Sequence, residues 1–179
     1  MNSVLQPWLR PENPGWRQLL LFKAGWFGLV LQPAYSAAMV LLVLIWLLTQ
    51  LKQSQRLALF TLWGSGLLLD TMLLAGGVFQ FDSVWLPFWL VLLWGWFSLF
   101  WLLVFSPFLQ RSVGVALFGL IGGPLAYWGG AQLSHSLQIM AEAGFWLIMA
   151  PAWAALLLWA RHAERWWWQR LKGGLNAHI

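Results

Sequence analysis

Hydrophobic residues in this chain fall into six continuous runs, and the polar residues gather in the gaps between them. Runs of this length without alternation read as helices crossing a bilayer. Transmembrane strands would need apolar and polar residues to alternate over about 10 positions. The predicted spans cover about residues 17–31, 34–50, 57–79, 85–106, 112–133 and 143–160. The first is short, roughly 22 Å of helix against a ~30 Å hydrocarbon core. Gln32-Pro33 turns it straight into the second, which predicts a helical hairpin with its tip in or near one leaflet. Pro7, Pro11 and Pro14 make 1–16 an irregular interfacial segment, and the sixth helix should continue into a tail over 161–179, kinked at Pro151. The expected fold class is all-α: one integral membrane bundle of six transmembrane helices over 17–160, without an internal repeat.

The charges supply orientation. Nine of the ten lysines and arginines lie outside the runs or, like Arg17, at the edge of one, leaving Lys23 as the exception inside. Arg10 and Arg17 precede the first run, Lys52 and Arg56 separate the second from the third, and Arg111 separates the fourth from the fifth. Arg161, Arg165, Arg170 and Lys172 follow the sixth, while the alternate gaps carry Asp82, His135 and Glu142. Alternation of this kind follows the positive-inside rule for an integral membrane protein with both termini in the cytoplasm.

Composition supports lipid as the solvent. The chain has 179 residues, 61% of them hydrophobic and 8% charged, too little polar surface for a soluble domain of this size. The net charge of +5 is spread among membrane-flanking segments, so anionic headgroups rather than nucleic acid are the expected partners. Cysteine is absent, which excludes disulfides and thiolate chemistry. Many of the 17 tryptophans sit at predicted span ends, as amphipathic rings do at the headgroup boundary. Arg161, Arg165, Trp166, Trp167, Trp168, Arg170 and Lys172 read as one membrane-interface anchor.

Asp70 is the outstanding candidate for chemistry. It lies about 20 Å along the third span, near the bilayer midplane. Ionised and facing lipid there it would cost at least ~2.5–3.5 kcal/mol, so it must face the bundle interior. Trp63, Gly66 and Gly77 return to its helical face, and the glycines would admit a helix, water or a ligand. Two roles stay open: a site for a proton, a cation or a polar headgroup, or a hydrogen-bonded joint between helices. Lys23 either snorkels to the inner interface, pairs with Asp70, or meets an anionic headgroup. In the fifth span Gly119 and Gly123 form a small-xxx-small face, and Pro124 with Tyr127 could border a cavity. The candidate binding residues are thus Asp70, Lys23, Trp63, Gly66, Gly123 and Tyr127. Gln132, His135, Gln138 and Glu142 read as a polar helical face, which does not make a metal site. No catalytic constellation, nucleotide loop or cofactor motif is present.

Four segments carry a family likeness: Lys23-Ala-Gly-Trp-Phe27; Gly66-Leu-Leu-Leu-Asp70; Leu86-Pro-Phe-Trp-Leu90 with Leu93-Trp94; and Gly122-Gly-Pro-Leu-Ala-Tyr127. In their order and spacing the chain resembles a bacterial family of small polytopic inner-membrane proteins known only as a domain of unknown function. The likeness spans about residues 19–133, and the family's recurring positions map to Asp70, Pro87, Trp89, Trp94, Gly123, Pro124 and Tyr127. What it implies is context: such proteins accompany cyclopropane-fatty-acid-synthase-like and oxidoreductase-like proteins, which suggests a membrane-lipid-modifying enzyme as partner. The expected function is a lipid-handling accessory protein with an intramembrane polar pocket around Asp70. The alternatives are a proton- or cation-coupled carrier and a non-catalytic scaffold for soluble enzymes.

Overall fold

The computed structural model describes residues 16–134 and 136–176. Six helices succeed one another: α1 (Trp16–Leu31), α2 (Pro33–Gln50), α3 (Gln53–Ala75), α4 (Phe88–Phe108), α5 (Ser112–Leu133) and α6 (Glu142–Asn176). Five of these, α2 to α6, are long and apolar enough to cross a membrane by length and composition, whereas α1 has 16 residues. Their outward faces carry Met39, Leu42, Met72, Val113 and Leu147, all more than 60% exposed. Such a surface fits a multi-pass membrane protein, since water would leave it uncovered. Of the expected surface segment over 1–16, residues 1–15 lie outside the described residues and Trp16 opens α1.

α4 is the hub. It is apolar around its whole circumference, the pattern of a helix enclosed by others. Over the most apolar 18-residue stretch of α4, 72% of residues are buried, against 17–39% over the corresponding stretches of the other four long helices. It packs on α1, α2 and α3, while α6 packs on α3 and α5. Its last turns widen to π-helix at Trp101–Phe105, where the Ser106 N–H donates to the Trp101 carbonyl five residues back. Pro107 gives the reason: it has no N–H, and its ring would crowd the carbonyl four residues before it in a regular helix.

The α1–α2 hairpin keeps its backbone paired at the tip. The Gln32 N–H donates to Gly28 O at 2.8 Å, and Ser36 returns both its N–H (3.1 Å) and its Oγ (2.8 Å) to Gln32 O. Pro33 opens α2, where a missing N–H costs nothing.

One expectation fails between the helices. The third run does not stay helical to residue 79: α3 stops at Ala75, and Gly77 takes φ +71°. Phe79–Phe81 (β1) then pairs antiparallel with Leu137–Ile139 (β2), in the register Phe79↔Ile139, Gln80↔Gln138, Phe81↔Leu137. The fold is therefore helical with one short strand pair. The supposed polar helical face over 132–142 does not form either, because α5 ends at Leu133 and Gln138 is an exposed strand residue. His135 lies outside the described residues. Both strands alternate apolar and polar residues, a pattern too short to stand out beside the long runs.

The strand pair gathers the connections that follow α3 and α5 at one end of the bundle. At the opposite end of α3, Ser54 and Gln55 share a hollow with Pro107, Glu164 and Arg165. Arg161 donates from its guanidinium to the carbonyls of Leu109 and Gln110. Lys52, Arg56, Arg111, Arg161 and Arg165 thus belong to one end, and Asp82 and Glu142 to the other. Trp167 Nε1 donates to Thr61 Oγ1 (3.0 Å) and Trp159 Nε1 to Ser65 Oγ (3.2 Å), so α6 runs antiparallel to α3.

Candidate functional site

A tryptophan pair enclosed by two glycines organises the interior. On α3 the buried face reads Ala58, Leu59, Leu62, Gly66, Asp70 and Leu73, at helical spacing. Gly66 lies one turn before Asp70. A Cβ there would come within 2.3 Å of Trp94 Cε3, so the missing side chain is what lets the Trp94 indole of α4 lie against α3. From that position Trp94 Nε1 donates to Asp70 Oδ2 at 2.5 Å.

α5 repeats the device. Gly123 lies one turn before Tyr127, and a Cβ at Gly123 would fall 2.1 Å from Trp153 Cδ2 of α6. Trp153 stacks on Trp94 with ring centroids 5.0 Å apart and planes at 20°. The Tyr127 hydroxyl donates to the same Asp70 Oδ2 that receives Trp94. Asp70 is fully buried, and its Oδ1 has no hydrogen-bond partner among the described residues. One carboxylate oxygen therefore ties α3 to α4 and α5, with α6 stacked on the joint.

A cavity of about 390 Å³ opens beside this joint. Its walls come from α1, α4, α5 and α6, and Trp94, Tyr127 and Trp153 form part of the lining. Leu19, Lys23 and Leu125 also border it and are exposed, marking its open rim. The remaining surface is apolar and aromatic, including Phe22, Phe97 and Phe118, and among the described residues Lys23 is the only charged one that reaches it. Gly122 and Ala126 keep the α5 side wide.

Of the sequence candidates, Lys23, Gly123 and Tyr127 line the cavity. Asp70 does not: Trp94 and Tyr127, which do, are its hydrogen-bond partners. Gly66 is occupied by Trp94 and so offers no space to a ligand. Trp63 belongs elsewhere. Its Nε1 donates to Val91 O at 2.8 Å, and its ring fills the place of a side chain at Gly95. Gly77 lies beyond the end of α3 and shares no helical face with Asp70. Lys23 does not pair with Asp70; its Nζ lies 5.8 Å from the centroid of the Trp26 ring.

Trp94 and Trp153 are missing from the candidates that residue chemistry selected. The available signal was an indole N–H in an otherwise apolar helix, which needs an acceptor when buried. Asp70 is the one acid within a predicted span that could serve. In the tail, Trp167 is held by Thr61, Arg170 lies over the Trp166 ring at 4.5 Å, and Ser106 Oγ donates to Glu164 Oε2 at 2.6 Å. Trp166 and Trp168 remain exposed, and the Lys172 side chain lies outside the described residues. No group of three or more metal-ligating side chains occurs among the described residues.

Residues 15–159 match the model of a family described as "Protein of unknown function (DUF2878)". No curated protein and no solved structure matches the chain.

Proposed function

We propose that this chain, which belongs to the family of proteins of unknown function DUF2878, is a multi-pass membrane protein that holds the apolar chain of a lipid within its bundle. The observation that carries this reading is the cavity of about 390 Å³. It is within the usual range for ligand sites, about 300–1,000 Å³, and is lined as such sites are, by apolar and aromatic side chains with few polar groups. In this reading Asp70 is a positioning residue. It holds Trp94 and Tyr127 at the cavity wall and does not itself touch the lipid. Packing on the lining is tested by Ala126→Trp, which places an indole in the cavity from α5. Native mass spectrometry of the gently purified protein should find co-purified lipid in the wild type and several-fold less in this variant. Equal retention by a folded variant rejects the reading.

The same proposal places α1 to α6 across an inner membrane with both termini on the cytoplasmic side. The clustering of Lys52, Arg56, Arg111, Arg161 and Arg165 at one end of the bundle supports that orientation. Because the chain contains no cysteine, single cysteines can be introduced without background. A membrane-impermeant maleimide should label Gln53→Cys and Gln110→Cys from one side only, and Ser83→Cys only from the other. Labelling of positions 53 and 110 from opposite sides would overturn the topology.

A further inference from the structure

We infer that the ligand of this cavity is a single-chain anionic amphiphile, whose headgroup is held at the rim by Lys23 while its chain lies along Trp94 and Trp153. This rests on the lipid-binding reading above and narrows it to one charge and one chain. Three observations lead to it.

Lys23 is the first. Cations at membrane depth are normally paired with an acid or with backbone carbonyls. Among the described residues no carboxylate lies within ion-pair distance of Lys23, and its amino group instead rests near the Trp26 ring. Asp70 does not serve it: its Oδ2 is engaged by Trp94 and Tyr127, and its side chain does not border the cavity. Lys23 is exposed and borders the cavity, so an anion lying at the rim meets an ammonium group with free donors.

The second is the character of the interior. Past Lys23 the lining consists of Phe, Leu, Trp, Tyr127 and small residues; the donors of Trp94 and Tyr127 are engaged at Asp70, and the Trp153 Nε1–H is left without a partner among the described residues. One indole N–H would not repay the desolvation of a second charge or of a sugar. A hydrocarbon chain requires no such partner.

Size is the third. About 390 Å³ lies near the lower limit for ligand sites. It suits one acyl chain, and a second chain would have to remain outside in lipid. A fatty carboxylate and a lysophospholipid phosphodiester share the required chemistry, one negative head on one chain, and the test separates them.

The full-length protein in detergent would be titrated with oleate, oleyl alcohol, oleoyl-lysophosphatidylglycerol and dioleoylphosphatidylglycerol, with bound ligand counted by native mass spectrometry. Oleate, the lysolipid or both should bind about ten-fold tighter than oleyl alcohol, the size of a charge-assisted hydrogen bond. Binding of oleate alone identifies a free fatty acid, and binding of the lysolipid alone identifies a phospholipid product. Lys23→Gln should erase the preference for the anion while oleyl alcohol still binds, and Lys23→Arg should restore it. The inference is overturned if Lys23→Gln leaves the preference unchanged, if the two-chain lipid binds as tightly as the single-chain ones, or if alcohol and anion bind alike. Should Ala126→Trp abolish binding while Lys23→Gln changes nothing, the lipid-holding cavity stands and only the charge selection falls. Should Ala126→Trp leave all binding intact, the cavity reading itself fails.

Discussion

Gly119→Leu is expected to be the most destabilising single substitution in the bundle, at about 3 kcal/mol or more, the upper range for overpacking a closed interior. A Cβ at Gly119 would lie 2.6 Å from the Ala154 Cα, 2.8 Å from its N and 2.8 Å from the Trp153 carbonyl oxygen. All three are backbone atoms of α6, so no rotamer change relieves the clash and the helices must separate. Separation would also pull Trp153 away from Gly123 and Trp94, since that indole is seated between α4 and α5. The control is Gly64→Ala on α3, where a Cβ would meet nothing within 4 Å. That change should be neutral or stabilising by up to about 1 kcal/mol, because alanine is the better helix former. Thermal unfolding in detergent, followed by size-exclusion recovery, compares the two. Equal midpoints would mean that α5 and α6 do not meet closely at Gly119.

Asp70→Leu should have the next largest effect. It removes the acceptor shared by Trp94 and Tyr127 and leaves two buried donors unpaired, at about 1–3 kcal/mol each. Asp70→Asn keeps a carbonyl oxygen for both donors, so its loss should be about half as large. Asp70→Asn combined with Tyr127→Phe should give less than the sum of the single effects, with a coupling of about 0.5–3 kcal/mol for residues in direct contact. Strict additivity would show that the two side chains do not share a bond. The same variants divide the functional readings. If Asp70 braces the cavity wall, Asp70→Asn retains most of its lipid. A proton- or cation-coupled carrier requires instead that Asp70→Asn abolish pH-dependent flux in proteoliposomes. Persistent flux in that variant excludes the carrier.

How much of this architecture is legible in the residues depends on which interaction sets each element. Helix limits follow from local chemistry: Pro33 opens α2, and α5 occupies 112–133 in sequence and structure alike. The early stop of α3 was also locally encoded, in Gly76-Gly77, but the apolar residues on either side concealed it. The strand pair lay further out of reach. Phe79–Phe81 and Leu137–Ile139 are separated by more than 50 positions, and neither is a strand until the other lies beside it. The tail shows a similar limit, since only its docking on α3 reveals that Trp167 serves Thr61.

By itself the order of residues determined that the chain is a set of long apolar helices, that its positive charges belong to alternate connections, and that Asp70 must be shielded. Each of these follows from the cost of exposing a polar or apolar group to the wrong solvent, a property of composition along one segment. Tertiary structure alone decided what shields Asp70, which glycine receives which indole, and that the open cavity belongs to Lys23 and the tryptophans rather than to the carboxylate. Those outcomes turn on distances between side chains of different helices, set by how α3, α4, α5 and α6 pack together.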